Sequence, residues 1–444
     1  MHETSYGLRI ICAGGAPVPH PIFLGIRIAS ATFKFFQCSS RRGEVGMPAH
    51  KWTFACRFRR CAFGWRSALP IQRIKEAISE IRSAARIDPV VGAEGAVLLL
   101  EKLSPALEQV DSSSGALGSA VKRAIDALVP VIAAADVPQA VRERWLERLF
   151  EALQEDQMPY IESLGEHWGT LCVTLELASR WADRLLPLTR HVVQADEHGF
   201  FVGTIPCLSA LHAAGRFDEV LELVSHDRLK FWWYRRWAVE SLVSLGRPGD
   251  AVSLAESSRG LNAPEGDIAR RCEAILLDCG MAEEAYHRYA LAANRAGTYL
   301  ATFRAIAKKY PDRAPQSILA DLIESEPGSL GKWFAAAKDA GLLDIALSLA
   351  KNHPTDPKTL TRAARDFAVK QPQFAMACGL CALRWMDAGY GYEIAPIDVL
   401  DAYDATVEAA AAAGVPAPDV QARVRQLVGG DSSFIAKVLA TKLA

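Results

Sequence analysis

No apolar run in the 444 residues approaches the roughly eighteen needed to cross a membrane, and the N-terminus lacks the basic, apolar, small-residue order of a secretory signal. Convincing runs of alternating β-branched residues are missing too, so nothing in the sequence reads as a sheet. Of the ten cysteines, Cys172, Cys207, Cys272, Cys279, Cys378 and Cys381 are scattered through apolar helical contexts, unlike the dense framework of a small secreted domain. That distribution reads as reduced thiols, and the chain is expected in the cytoplasm. Phosphate-loop grammar is absent: "AGGAP" lies in the N-terminal segment, "LVGGDS" has no P-loop lysine, and no HExxH occurs.

Charge of one sign is also lacking, since the formal net charge is only -1. The balance is uneven, however. Twelve Lys or Arg and three Asp or Glu precede Ala77, which leaves the remainder acidic by about ten charges. An acidic body argues against nucleic acid as its partner, because phosphate binding needs a continuous basic surface that releases counterions.

Residues 1–46 follow neither a helical nor a strand period and contain only Glu3 and Glu44 as acids. They are expected to be a non-native or disordered extension, with translation starting at Met47. Residues 47–68 hold "KWTFACRFRRCAFGWRS", which carries five Arg or Lys, five aromatics and two cysteines without an acid. This block is expected to be a strap whose aromatics dock on the helical body and whose arginines meet its acids. Beyond it the chain reads as helix after helix. Ile71, Ile74, Ile78 and Ile81 form one apolar stripe, and Val141, Trp145, Leu149 and Leu153 another at a strict spacing of four.

A helix-turn-helix pattern recurs at Gly215, Gly246, Gly280 and Gly341. Each Gly is followed after three or four residues by an acid and after five by a small apolar residue: Val220, Ala251, Ala285 and Ala346. The Gly suits the left-handed position that ends a helix, the acid suits the positive end of the next helix, and the small residue allows close approach. Gly spacings of 31, 34 and 61 give a period near that of tetratricopeptide repeats, with "YLATFRAIAKKYPDRAPQSILADLIES" as a further pair broken at Pro311. The expected fold is therefore all-α, an irregular α-solenoid of antiparallel helix pairs. Its expected divisions are a helical region at 69–200, tetratricopeptide-like repeats at 201–355, and a C-terminal helical region and cap at 356–444.

The blocks "KWTFACRFRRCAFGWRS", "VDSSSGALG", "AANRAGTYLATFRAIAKKYP", "GKWFAAAKDAGLLDIALSLA", "DPKTLTRAARDFA" and "GYGYEI" together resemble a family of bacterial helical-repeat proteins known as a domain of unknown function. The resemblance covers roughly Lys51 to the C-terminus. It implies a bacterial, non-membrane helical protein and brings no catalytic residue with it.

Several residues have chemical potential when read alone. Cys56 and Cys61, with His50, supply two or three of the four ligands a structural zinc site requires, and no second ligand pair has matching spacing. Arg57, Arg59, Arg60 and Arg66, interleaved with aromatics, are a weak candidate basic patch for phosphates and bases. "CGLC" at Cys378–Cys381 has redox spacing but sits within an apolar helix. "HVVQADEHGF" offers His191, Asp196, Glu197 and His198 without ligand grammar, and the pairs Glu151/Glu155 and Glu162/Glu166 read as helix faces. No catalytic, cofactor or metal residue is assigned. The preferred contact surface is "FWWYRRW", where Trp232, Trp233, Tyr234, Arg235 and Arg236 wrap two helical turns and include the residue types that anchor protein interfaces. The expected function is a non-catalytic scaffold for a protein or peptide, the alternative being a nucleic-acid-associated factor or enzyme that uses the basic aromatic segment.

Overall fold

The computed structural model describes residues 50–194, 199–259, 264–428 and 433–443. The expectations for residues 1–46 and Met47, and for Asp196, Glu197, His198 and most of "LVGGDS", fall outside them. Among the described residues all regular structure is helical, with 21 α-helices, two short 3-10 turns and no strand. None of the helices is long and apolar enough to cross a membrane. The fold is all-α, and within each unit helices pack on their sequence neighbours as in a solenoid.

Two compact units divide at Pro264/Glu265, inside the stretch 201–355. The first begins with long helices, Ala68–Ile87, Pro89–Leu107, Ala116–Ala133, Gln139–Gln154 and Leu175–Gln194, and closes with the pairs Thr204–Ala213/Phe217–Ser225 and Trp232–Ser244/Pro248–Ser257. The second runs from Glu265–Asp278/Ala282–Asn294 through Tyr299–Lys309/Pro315–Ser325 to Phe434–Leu443. Pro311 lies in the turn of its pair, as a residue that cannot donate to a helix ladder should.

Local sequence explains where these helices start, stop and bury themselves. Ile74 and Ile81 are fully buried and Ile71 and Ile78 half-buried, so the first stripe faces the core. Helix Pro89–Leu107 is apolar on nearly all sides and buries eleven residues, as a central helix must. Its start is fixed by the Asp88 carboxylate, which accepts from the amides of Val90 and Val91 at 2.9 and 3.2 Å.

The turns at Gly215, Gly246, Gly280 and Gly341 share one geometry. All four glycines are left-handed, with φ between 71° and 75°. The amide that follows each reaches back to a carbonyl five residues earlier: Arg216 to Leu211, Arg247 to Leu242, Met281 to Leu276 and Leu342 to Ala337. These bonds satisfy carbonyls that the helix end leaves open, and only glycine enters this backbone region without strain. Val220, Ala251, Ala285 and Ala346 are completely buried where the paired helices meet.

Polar contacts between pairs recur at the length of one repeat. Arg180 meets Glu143 and Arg184 meets Glu147 across 37 residues, and Arg216 meets Asp183 across 33. In the second unit Tyr286 donates to Asp321 across 35 residues, and Trp385 to the Ala350 carbonyl across 35. Exposed ion pairs contribute only about 0–1 kcal/mol each, so the ladder sets register while the apolar interior supplies most of the stability. Nearest-neighbour coupling of this kind is what a repeat array requires.

Candidate functional site

The basic aromatic segment lies along the first two helices. Trp52, Phe54, Phe58 and Phe63 are buried in a run of ring contacts with centroids 5.3, 6.4 and 5.4 Å apart. Trp52 fills a notch at Gly95, where a Cβ would stand 2.3 Å from the indole, so glycine is the residue that admits the ring. The Glu80 carboxylate ties down the start by accepting from the Thr53 amide at 2.7 Å, the Thr53 hydroxyl at 2.6 Å and the Phe54 amide at 3.3 Å. Arg57 pairs with Glu76 at 3.0 Å and Arg60 with Glu108 at 2.8 Å.

Docking of the segment is incomplete. Trp65 is 73% exposed, contrary to the expectation that all five aromatics are covered. Arg59 and Arg66 are exposed and meet no carboxylate among the described residues. The physical reason is the path of the chain. The Asp111 amide donates to the Trp65 carbonyl at 2.9 Å, holding the backbone at the edge of the helices after Phe63 has taken the last place in the core.

Cys56 and Cys61 are both exposed free thiols. Partial desolvation, and then the hydrogen bond to the Glu108 carboxylate at 3.4 Å, push the Cys61 thiol up, which disfavours the thiolate. Cys378 and Cys381 are buried, and burial pushes both thiols up as well. Among the described residues no group of three or more His, Cys, Asp or Glu is arranged to hold a metal ion. His191, Glu151, Glu155 and Glu162 are exposed. Glu162 and Glu166 lie in a 3-10 turn, Glu162–His167, where the α-helical spacing of four no longer places them on one face.

The sequence places Trp232, Trp233, Tyr234, Arg235 and Arg236 on one helix, Trp232–Ser244, and the structure turns most of them inward. Trp232 is buried and the other four are half-buried. Arg235 lies 3.7 Å from the buried Asp227 carboxylate and donates to Ser257 Oγ at 3.3 Å. Arg236 pairs with Glu166 at 3.0 Å and lies over the Trp237 ring. Tyr234 meets Phe231 edge-on at 5.1 Å, and burial pushes its hydroxyl up to about 12. Neither arginine is therefore the exposed anchor that the sequence suggested. Each is committed to a contact within its own unit, and Trp233 stays half-buried.

His212 belongs to the same packing, its ring against Phe217 at 5.3 Å and Trp237 at 5.7 Å. Burial lowers its pKa below the usual histidine value. The unfolded chain thus takes up a proton that the folded chain resists. This contribution is flat above the unfolded value, about 6.5, and costs stability as pH falls through it toward the folded pKa. The stability advantage of wild type over His212→Gln should therefore shrink between pH 7 and pH 5, as read by urea denaturation at each pH.

A polar cluster that sequence reasoning missed lies in the second unit. Glu273 is completely buried and accepts from Lys309 Nζ at 2.6 Å, the Tyr310 hydroxyl at 2.7 Å and Asn294 Nδ2 at 2.8 Å. Tyr310 meets Tyr286 edge-on at 5.1 Å, and the Arg313 guanidinium lies 3.7 Å over the Tyr286 ring. Burial first, and the neighbouring carboxylates second, push both tyrosines well above the ordinary range, so they serve as hydrogen-bond donors and not as bases near neutral pH. The available signal was an acid set among Ala269, Cys272 and Leu276 on the buried face of its helix.

No family model, no curated protein and no solved structure matches the chain. Function must therefore be argued from the geometry alone.

Proposed function

We propose that the chain is a non-catalytic helical-repeat scaffold, a degenerate tetratricopeptide-like array that binds a protein or peptide in the bacterial cytoplasm. The observation that supports this reading is the repeated turn. Four glycines share one left-handed geometry, each followed by a small buried residue that lets two helices close on each other. Such an array fills its interior with contacts between neighbouring repeats and offers the remaining helix faces to a ligand as a preformed surface. Binding then proceeds by shape and charge complementarity, and little ordering entropy is lost because the surface is already set. Trp233 is the residue assigned to contact.

A second reading draws on Trp65, exposed on the same segment as Arg59 and Arg66, neither of which meets a carboxylate among the described residues; the ring could stack a base while the arginines meet phosphates. Affinity capture with the full chain from nuclease-treated native lysate separates the two. A specific polypeptide should be retained by Cys56→Ser and Cys61→Ser and depleted by Trp233→Ala. Recovery of nucleic acid without a specific polypeptide, from lysate left untreated, would overturn the ranking.

A further inference from the structure

The first unit opens with a face of cations that no carboxylate answers. Helices Ala68–Ile87 and Ala116–Ala133 together carry six Lys or Arg and three Asp or Glu. All three acids are engaged. Glu76 pairs with Arg57 at 3.0 Å and with Arg73 at 2.6 Å, Glu80 holds Thr53, and Asp126 lies 3.3 Å from His167. Lys75, Arg82, Arg86, Lys122 and Arg123 are exposed, and none of them meets a carboxylate among the described residues. The acidic excess of the chain beyond Ala77 thus lies outside these two helices.

Spacing gives the cations a common direction. Lys75, Arg82 and Arg86 follow one another by seven and four residues, which is one side of a helix about 30 Å long. Helix Ala116–Ala133 packs against it, and packed helix axes lie about 8–10 Å apart, so Lys122 and Arg123 stand on the neighbouring ridge. Salt screens exposed charges over about 10 Å near 0.1 M, so the fields of cations this close add.

The chemistry of the face selects among polyanions. The large apolar side chains exposed on the two helices are Leu69 and Ile87, at opposite ends of the first, so the middle of the face offers no apolar core to hold a protein and no side chain to enter a lipid layer. What it offers instead is guanidinium forks and ammonium groups, with the exposed hydroxyls of Ser79 and Ser119 among them. These are the groups that bind phosphate oxygens along a nucleic acid backbone.

We propose that helices Ala68–Ile87 and Ala116–Ala133 form a face that binds nucleic acid through its phosphate backbone, without reading bases. It requires neither the polypeptide of the scaffold reading nor the strap residues Arg59, Trp65 and Arg66, and its test separates it from both.

Fluorescence anisotropy of the full chain with a labelled single strand of about 20 nucleotides, and with its duplex, tests the face. Binding to either is expected, falling with salt along a log–log slope of about −3 to −4, as about four or five neutralised phosphates require. Arg82→Glu/Arg86→Glu and Lys122→Glu/Arg123→Glu should each weaken it at least tenfold at about 0.1 M salt. Arg362→Glu/Arg365→Glu, the same charge change at exposed positions of the second unit, should alter it less than twofold. All six positions are exposed, so the variants should keep the helical circular dichroism of wild type. No binding to either oligonucleotide would overturn the proposal, as would an equal loss in all three variants, which would report net charge alone. Loss confined to Arg59→Glu/Arg66→Glu would overturn it while leaving the strap reading in place. Binding as tight to polyglutamate, or to vesicles of phosphatidylserine and phosphatidylcholine, would overturn the assignment to nucleic acid.

Discussion

Arg142→Ala should lower the unfolding free energy by about 4 kcal/mol, more than any surface substitution in the chain. Arg142 is 6% exposed, and its guanidinium donates to the carbonyls of Ile132 at 3.1 Å, Leu171 at 3.4 Å and Ala135. Ile132 and Ala135 lie at the end of helix Ala116–Ala133, and Leu171 at the end of the short helix Trp168–Cys172. The Ile132 carbonyl also accepts from the Ala135 amide at 3.4 Å, and the negative ends of both helices favour a cation. Alanine would remove the guanidinium donors from the Leu171 and Ala135 carbonyls, leave the Ile132 carbonyl with the long Ala135 amide bond alone, and open a cavity beside Trp145, whose ring the guanidinium overlies at 5.8 Å. Arg142→Lys keeps the charge but cannot span three acceptors, so it should recover less than half of the loss. Urea denaturation followed by circular dichroism checks both variants. A loss below about 1 kcal/mol for alanine would mean that water replaces the guanidinium at no cost.

Glu273→Ala should cost the second unit about 3–5 kcal/mol. The carboxylate joins residues 21, 36 and 37 positions away, so its removal unfastens one helix pair from the next as well as leaving donors unmatched. Lys309 is 36% exposed and can turn to solvent, so most of the cost falls on the Tyr310 hydroxyl and Asn294. Glu273→Gln keeps an acceptor for Tyr310 and should cost less than alanine. Hydrogen exchange resolves the effect by position: amides of helix Glu265–Asp278 should lose protection first, while helices of the first unit keep theirs. Equal loss in both units would contradict a local clamp.

What the sequence disclosed and what it hid follow one physical division. Features imposed by the local backbone were legible. The glycines at 215, 246, 280 and 341 read correctly as turn residues because a left-handed backbone leaves little choice there. The stripe through Ile74 and Ile81 read correctly because burial on a helix has a fixed period. Features set by contacts distant in sequence were hidden. "FWWYRRW" resembles an exposed anchor until Glu166 and Ser257 are seen to take its arginines. Glu273 resembles an ordinary helix acid until Lys309 and Tyr310 come beside it. The exposure of Trp65 depends on where Phe63 and the Asp111 amide hold the chain, which aromatic composition does not encode.

The helical-scaffold reading is tested most directly by an equilibrium titration of the full chain with the polypeptide recovered in affinity capture, in parallel with Trp233→Ala and with Arg59→Glu/Arg66→Glu. The expected result is saturable binding that weakens at least tenfold in Trp233→Ala and changes less than twofold when the two arginines are reversed. Binding indifferent to Trp233 but abolished by the arginine reversals, and restored as binding to single-stranded nucleic acid in the wild type, would contradict it.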